Sequence, residues 1–239
     1  MKRLYLVSVF FYFLISPLWA KDLIIGTISH APPFEFQDEK KGLSGFDIDI
    51  MNELCKRMDV HCTFKLYDFH RLLNILQQGK VDLAIASIVI TPERSQQFLF
   101  SLPYKINSLQ LVTLATAKYQ NYAQLKNKRI GVYKGPIAQL FIAQKLDGQA
   151  EVQQYDDVED LYSALENKEV DAIAVELERA VYWLANTQGF KMIGKPVHIG
   201  EGYGIAAPLG QTQLIEQINQ QIKNMEQDGT YLKIYKLYF

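Results

Sequence analysis

The chain reads as an α/β protein of two lobes, each built on a largely parallel sheet, and three observations carry that reading. Leu72 to Ser87 (LLNILQQGKVDLAIAS) aligns without a gap on Leu161 to Glu176 (LYSALENKEVDAIAVE), at an offset of 89 residues. Leu72/Leu161, Leu76/Leu165, Val81/Val170 and Asp82/Asp171 are identical, and each copy predicts a short amphipathic helix, a polar turn and an apolar strand. Leu23–Thr27 and Arg129–Tyr133 are both strand-like openings lying before the two copies. Finally, buried Val/Ile-rich strands alternate with helices, and 239 residues at 49% hydrophobic and 21% charged are enough for two cores.

The elements follow in chain order. Lys2 and Arg3 precede an apolar run from Leu4 to Leu18 that ends at Trp19-Ala20, the pattern of a cleavable export signal over residues 1–20. At about fifteen residues the run is short of the ~20 that a membrane span needs. The first lobe takes residues 21–107 and 204–239, and the second takes 108–203. No Pro/Gly/Ser-rich linker separates them, so the expected hinges are strand-like, near 107–113 going out and 197–203 coming back. After the return, Leu214, Ile215, Ile218, Ile222 and Met225 give one helix an apolar face, and Asp228-Gly229 ends it.

Cys55 and Cys62 are the two cysteines. In an exported chain an even count at this spacing suggests one disulfide, with two free buried thiols as the alternative. His30, His61, His70 and His198 show no ligand spacing, so neither a metal nor a cofactor is expected. A net charge of -1 offers no field for a nucleic-acid backbone. No Ser/His/Asp set with a recognisable motif supports nucleophilic catalysis.

Ligands of open α/β sheets bind beyond the carboxyl ends of the strands. That rule selects the loops at 28–36, 87–94, 134–138 and 176–179, which two facing lobes would bring to one cleft. Thr91-Pro92-Glu93-Arg94 is an N-cap followed by Pro at the first helical position, which places Arg94 in a first turn. A cation set against the helix dipole needs an anionic partner: a ligand carboxylate, or a surface Glu or Asp. Glu176 ends a buried strand, where it is either an acceptor for an ammonium group or an ordinary loop acid. Together they suggest a zwitterion gripped between lobes, that is, an α-amino acid. Lys134-Gly135-Pro136 allows close backbone approach. Phe34, Phe36, Phe69, Tyr104 and Tyr133 lie near strand ends, where one or two aromatics would line a small-ligand site.

GFDIDI (45–50), CKRMDVHC (55–62), ITPER (90–94), FSLPY (100–104) and QDGTYLKIYKLYF (227–239) resemble the periplasmic solute-binding proteins of polar amino-acid ABC importers. The similarity covers nearly all of the chain beyond residue 20, and the spaced cysteines are most like those of the lysine/arginine/ornithine and histidine binders, where they form a disulfide. The resemblance implies the type II two-lobe periplasmic-binding-protein fold. It implies that Arg94 binds the ligand carboxylate with backbone groups of Ser87, Val89 and Ile137, that Glu176 binds the α-ammonium, and that Phe69 stacks on the ligand side chain. It also implies a periplasmic monomer that hands a free amino acid to a membrane permease. Ile28 stands where basic and glutamine binders carry Asp, and Ala31 where they carry an aromatic, so a more apolar side-chain pocket is expected. The alternatives are a cyclohexadienyl or arogenate dehydratase-like enzyme, with Glu176 as its acid, and a sensory module.

Overall fold

The computed structural model describes residues 22–38, 40, 42–134 and 136–239, so the segment 1–20 expected to be an export signal, and Gly135, lie outside the described residues. In chain order the first part holds β1 (Leu23–Thr27), β2 (Phe36–Asp38), β3 (Gly42–Ser44), α1 (Phe46–Arg57), β4 (Cys62–Leu66), α2 (Phe69–Gln77), β5 (Leu83–Ala84), α3 (Pro92–Ser95) and β6 (Phe98–Phe100). The middle holds β7 (Ser108–Leu114), β8 (Arg129–Tyr133), α4 (Pro136–Leu146), β9 (Glu151–Tyr155), α5 (Val158–Glu166), β10 (Ala172–Glu176), α6 (Leu177–Asn186) and β11 (Phe190–His198). The last part holds β12 (Ala206–Pro208), α7 (Thr212–Gln227) and α8 (Thr230–Tyr235).

Two five-stranded sheets result, in the orders β4-β1-β5-β12-β6 and β11-β7-β10-β8-β9. In the first, β1 is parallel to β4 and β5, whereas β12 is antiparallel to β5 and β6. In the second, β8 is parallel to β9 and β10, and β7 is antiparallel to β10 and β11. The sheets are thus mixed rather than mostly parallel. The parallel part of each is a three-strand unit joined by helical crossovers; the antiparallel part comes from segments that enter or leave the lobe.

The repeat is physical. Ile24 N–H donates to Asp82 at 2.8 Å and Asp82 N–H returns a bond to Ile24 O at 2.8 Å. In the second lobe Arg129 N–H donates to Asp171 at 3.0 Å and Asp171 N–H to Arg129 O at 2.8 Å. Above these pairs Leu72 and Val81 pack on Gly26, and Leu161 and Val170 on Gly131. Three of the four identical positions therefore hold the helix and strand of the repeat against the lobe's opening strand.

Apolar residues cover both faces of each sheet. In the first lobe Ile215, Ile218, Ile222 and Met225 of α7 pack with Met51 and Leu54 of α1, and Cys55 at the end of this layer is bonded to Cys62. The chain crosses between lobes twice, and the crossings hold each other. Tyr203 N–H donates to Lys105 O at 2.8 Å, Tyr104 N–H to Tyr203 O at 2.9 Å, and Asn107 Nδ2 to Ile199 O at 3.1 Å. Of the two segments expected as hinges, Ser108–Leu114 is β7, buried inside the second sheet, and 199–203 is non-helical chain bonded to the outgoing crossing.

Candidate functional site

A cavity of about 150 Å³ lies between the lobes, and Ile28, Phe69, Ser87, Val89, Arg94, Tyr133, Ile137 and Glu176 all line it. The first lobe supplies the carboxyl ends of β1 and β5 and the start of α2. The second supplies the carboxyl ends of β8, β9 and β10. These eight residues, expected at a ligand site from the sequence, therefore face one space.

Arg94 stands in the one-turn α3, where Thr91 caps the turn by accepting the Arg94 N–H at 3.3 Å. Its Nη1 donates to Val89 O at 2.8 Å, and its guanidinium carbon is 6.0 Å from the centre of the Phe69 ring. Among the described residues no carboxylate comes within ion-pair distance of it. Burial pushes its pKa below the usual arginine value, with Glu93 pulling back only in part. A desolvated, fixed cation with free donors is a receptor for an anion.

Ser87 has a left-handed backbone, φ 43°, which a serine holds only against strain. Its N–H is tied back to Asp47 Oδ2 at 2.6 Å. Phe69 begins α2 and meets Tyr133, the last residue of β8, edge-on at 6.1 Å, closing the cavity from both lobes. Burial raises the Tyr133 phenol. Ile137, in the first turn of α4, packs against the cores of both lobes. Phe34 and Tyr104, also flagged among the aromatics, are instead core residues of the first lobe.

Glu176 is the N-cap of α6 and is half-buried in the cleft wall. Its Oε2 lies 3.5 Å from Nε of Arg179, one turn on. Arg179 is buried, and its Nε has no hydrogen-bond partner. Burial works against its charge, but Glu176, Tyr203, Glu35 and Tyr133 more than offset this and hold the guanidinium charged.

Ile28, Ala31 and Pro32 form an apolar patch on the first lobe's wall, beside the polar His30, Ser87 and Arg94, and the opposite wall is acidic. Asp156, Asp157 and Glu159 line it on the loop from β9 into α5. Asp157 caps α5 by accepting the Glu159 N–H at 2.8 Å. The nearness of the two carboxyls holds Asp157 below and Glu159 above the usual range, so the loop presents a negative patch suited to a cation. Lys134 reaches Asp156 at 3.2 Å, and His30 reaches Glu159 across the cleft at 3.7 Å, both largely exposed.

Sequence reasoning missed this acidic loop because β9 (EVQQY) is a polar edge strand with no apolar alternation. Had it been read as a strand, the carboxyl-end rule would have selected the loop. Sequence reasoning selected 176–179 as a cleft loop but gave Arg179 no role, and it missed two buried acids, Glu35 and Asp47.

Comparison with known proteins places this geometry. The model of the bacterial extracellular solute-binding proteins, family 3, matches residues 23–239. A putative ABC transporter arginine-binding protein 2 of Escherichia coli K12 is 32% identical over 243 residues, covering 100% of this chain and 99% of that one. An arginine third transport system periplasmic binding protein from Legionella pneumophila superposes with a TM-score of 0.82 at 39% identity, covering 91% of this chain and 99% of the other. An ancestral amino acid-binding protein described as a precursor of cyclohexadienyl dehydratase superposes at 0.80 with 25% identity, covering 91% and 95%.

Proposed function

The chain belongs to family 3 of the bacterial extracellular solute-binding proteins, and from that premise we propose that it is an exported periplasmic receptor that closes over an L-amino acid, arginine before others, and presents it to the membrane permease of an ABC importer. Residues 21–107 with 204–239, and residues 108–203, act as the two closing lobes of a monomer. Arg94 takes the α-carboxylate, assisted by backbone N–H groups of Val89 and Ile137 and by the Ser87 hydroxyl, since the Ser87 N–H is held by Asp47. Glu176 takes the α-ammonium. Ile28, Phe69 and Tyr133 enclose the aliphatic part of the side chain, and the Asp157–Glu159 pair meets its cationic end.

The observation that carries this reading is Arg94, a fixed and desolvated cation that the described residues leave without a carboxylate partner. The relatives named for arginine binding and the acidic loop at the far wall support a basic ligand. The dehydratase alternative needs Glu176 enclosed by apolar groups as a proton donor, but Glu176 faces the Arg179 guanidinium instead.

A thermal-shift screen of the purified protein across the amino acids, ornithine and prephenate tests the proposal. Arginine is expected to raise the melting temperature in a concentration-dependent way, because a ligand that binds only the folded state stabilises it. Consumption of prephenate, with no shift from any amino acid, would overturn it.

A further inference from the structure

Two arginines line the cavity, one from each lobe. Each is the third residue of the first helix after a repeat strand: Arg94 in α3, behind Thr91-Pro92-Glu93, and Arg179 in α6, behind Glu176-Leu177-Glu178. A cation in a first turn is set against the helix dipole and calls for an anion. Glu178 is not that anion for Arg179, because it is spent on Lys105, whose Nζ donates to it at 2.5 Å. Glu176 answers only in part. Its Oε2 lies 3.5 Å from Arg179 Nε, yet that buried nitrogen has no hydrogen-bond acceptor.

Only 8% of Arg179 is exposed. A guanidinium carries five N–H donors in a planar fork, and among the described residues Arg179 donates no hydrogen bond from any of them. A desolvated donor left unsatisfied beside a cavity is costly unless something that enters the cavity accepts from it.

We propose that Arg179 is a second ligand-binding cation, which reaches the α-carboxylate from the second lobe while Arg94 holds it from the first. The proposal rests on the receptor reading above. In an α-amino acid the carboxylate and the ammonium hang on one carbon, so a ligand whose ammonium meets Glu176 brings its carboxylate to the neighbouring guanidinium, one turn along α6. The charges then alternate: ammonium, Glu176, Arg179, carboxylate, Arg94. Each anion lies between two cations, and no buried charge lacks a partner of opposite sign. The second lobe otherwise offers the carboxylate only the backbone of Ile137, whose side chain has no donor. Burial opposes the charge on Arg179, and Glu176 before any other group offsets it, so the guanidinium is charged when the ligand arrives.

The competing role for Arg179 is to hold Glu176 in place without touching the ligand, and ligand analogues tell the two apart. Calorimetry compares wild type with Arg179→Met, which keeps an unbranched side chain without the charge, on arginine, on argininamide, whose carboxylate is replaced by a neutral amide, and on desaminoarginine, which lacks the α-ammonium. The variant should weaken arginine and desaminoarginine alike, by about tenfold or more, and argininamide by less than about threefold. Equal losses for arginine and argininamide, or a loss for arginine that desaminoarginine does not share, would put Arg179 behind Glu176 and overturn the inference. Unchanged arginine affinity in the variant would overturn it too. Arg179→Lys, which keeps the buried charge but not the planar fork, carries the same comparison if Arg179→Met does not fold: a larger loss for arginine than for argininamide supports the inference, and equal losses overturn it. Wild type that binds no amino acid at all would overturn the receptor reading itself, and the second cation with it.

Discussion

Replacing Arg94 with Ala separates binding from folding. In the free protein its guanidinium makes one bond to Val89 O and none to a carboxylate among the described residues, and it is already stripped of most of its water. Truncation gives up that one charge-assisted bond but also removes a costly desolvated cation, so the unliganded protein should change in stability by less than about 1.5 kcal/mol. In the complex the same change takes the first-lobe cation from a buried ligand carboxylate, which costs roughly 2–5 kcal/mol. At 1.4 kcal/mol per decade this is a loss of about 30-fold to several thousandfold in affinity. Calorimetry should read that loss while the unliganded melting temperature barely moves. Arg94→Lys should fall between, since it keeps the charge but not the planar fork. An Arg94→Ala variant that binds like the parent would show that the carboxylate is held elsewhere and would refute the assignment.

Three further outcomes are expected. Asp157→Asn with Glu159→Gln should weaken arginine by about tenfold or more, in the range of lost charge pairs, while leaving glutamine or citrulline nearly unchanged, and parallel calorimetric titrations read the ratio. Reducing the Cys55–Cys62 bond, which closes a loop with a sequence separation of 7, should lower unfolding stability by about 2–3 kcal/mol in urea melts. Gly45→Ala should prevent stable folding, with a cost above about 3 kcal/mol, because a Cβ there would lie 2.0 Å from the Phe34 carbonyl oxygen at a φ of 133°; circular dichroism of the purified variant checks it.

Much of the fold was legible because its signals are local or repeated. Leu72, Val81 and Asp82 recur as Leu161, Val170 and Asp171 because each set locks the same helix and strand onto an opening strand, a constraint that both lobes must meet. Arg94 was legible because a cap residue followed by Pro fixes its place in a turn. Arg179, Glu35 and Asp47 were not, because what matters about them is burial against segments far away in the chain. Asp47 sits in an alternating run, FDIDI, where an acid reads as an ordinary solvent-facing residue; only the tertiary placement of Ser87 and Tyr104 gives it partners. The sheets' antiparallel halves were hidden for a related reason: the outgoing crossing leads directly into a core strand, β7, and composition does not mark where a linker ends.

The position of β12 also bears on how the chain is made. It lies between β5 and β6, yet more than a hundred residues separate it from either neighbour's side of that sheet: β6 ends at Phe100 and β12 starts at Ala206. A polypeptide delivered amino end first has β5 and β6 in hand early, with a gap between them and open backbone edges on both sides. All five strands of the other sheet, from Ser108 to His198, emerge while that gap is still open. The later-emerging lobe can thus be complete before the earlier one, and the last stretch of chain acts as a keystone strand with α7 and α8 behind it. Shielding those edges until the final residues arrive is a task for whatever escorts the nascent chain.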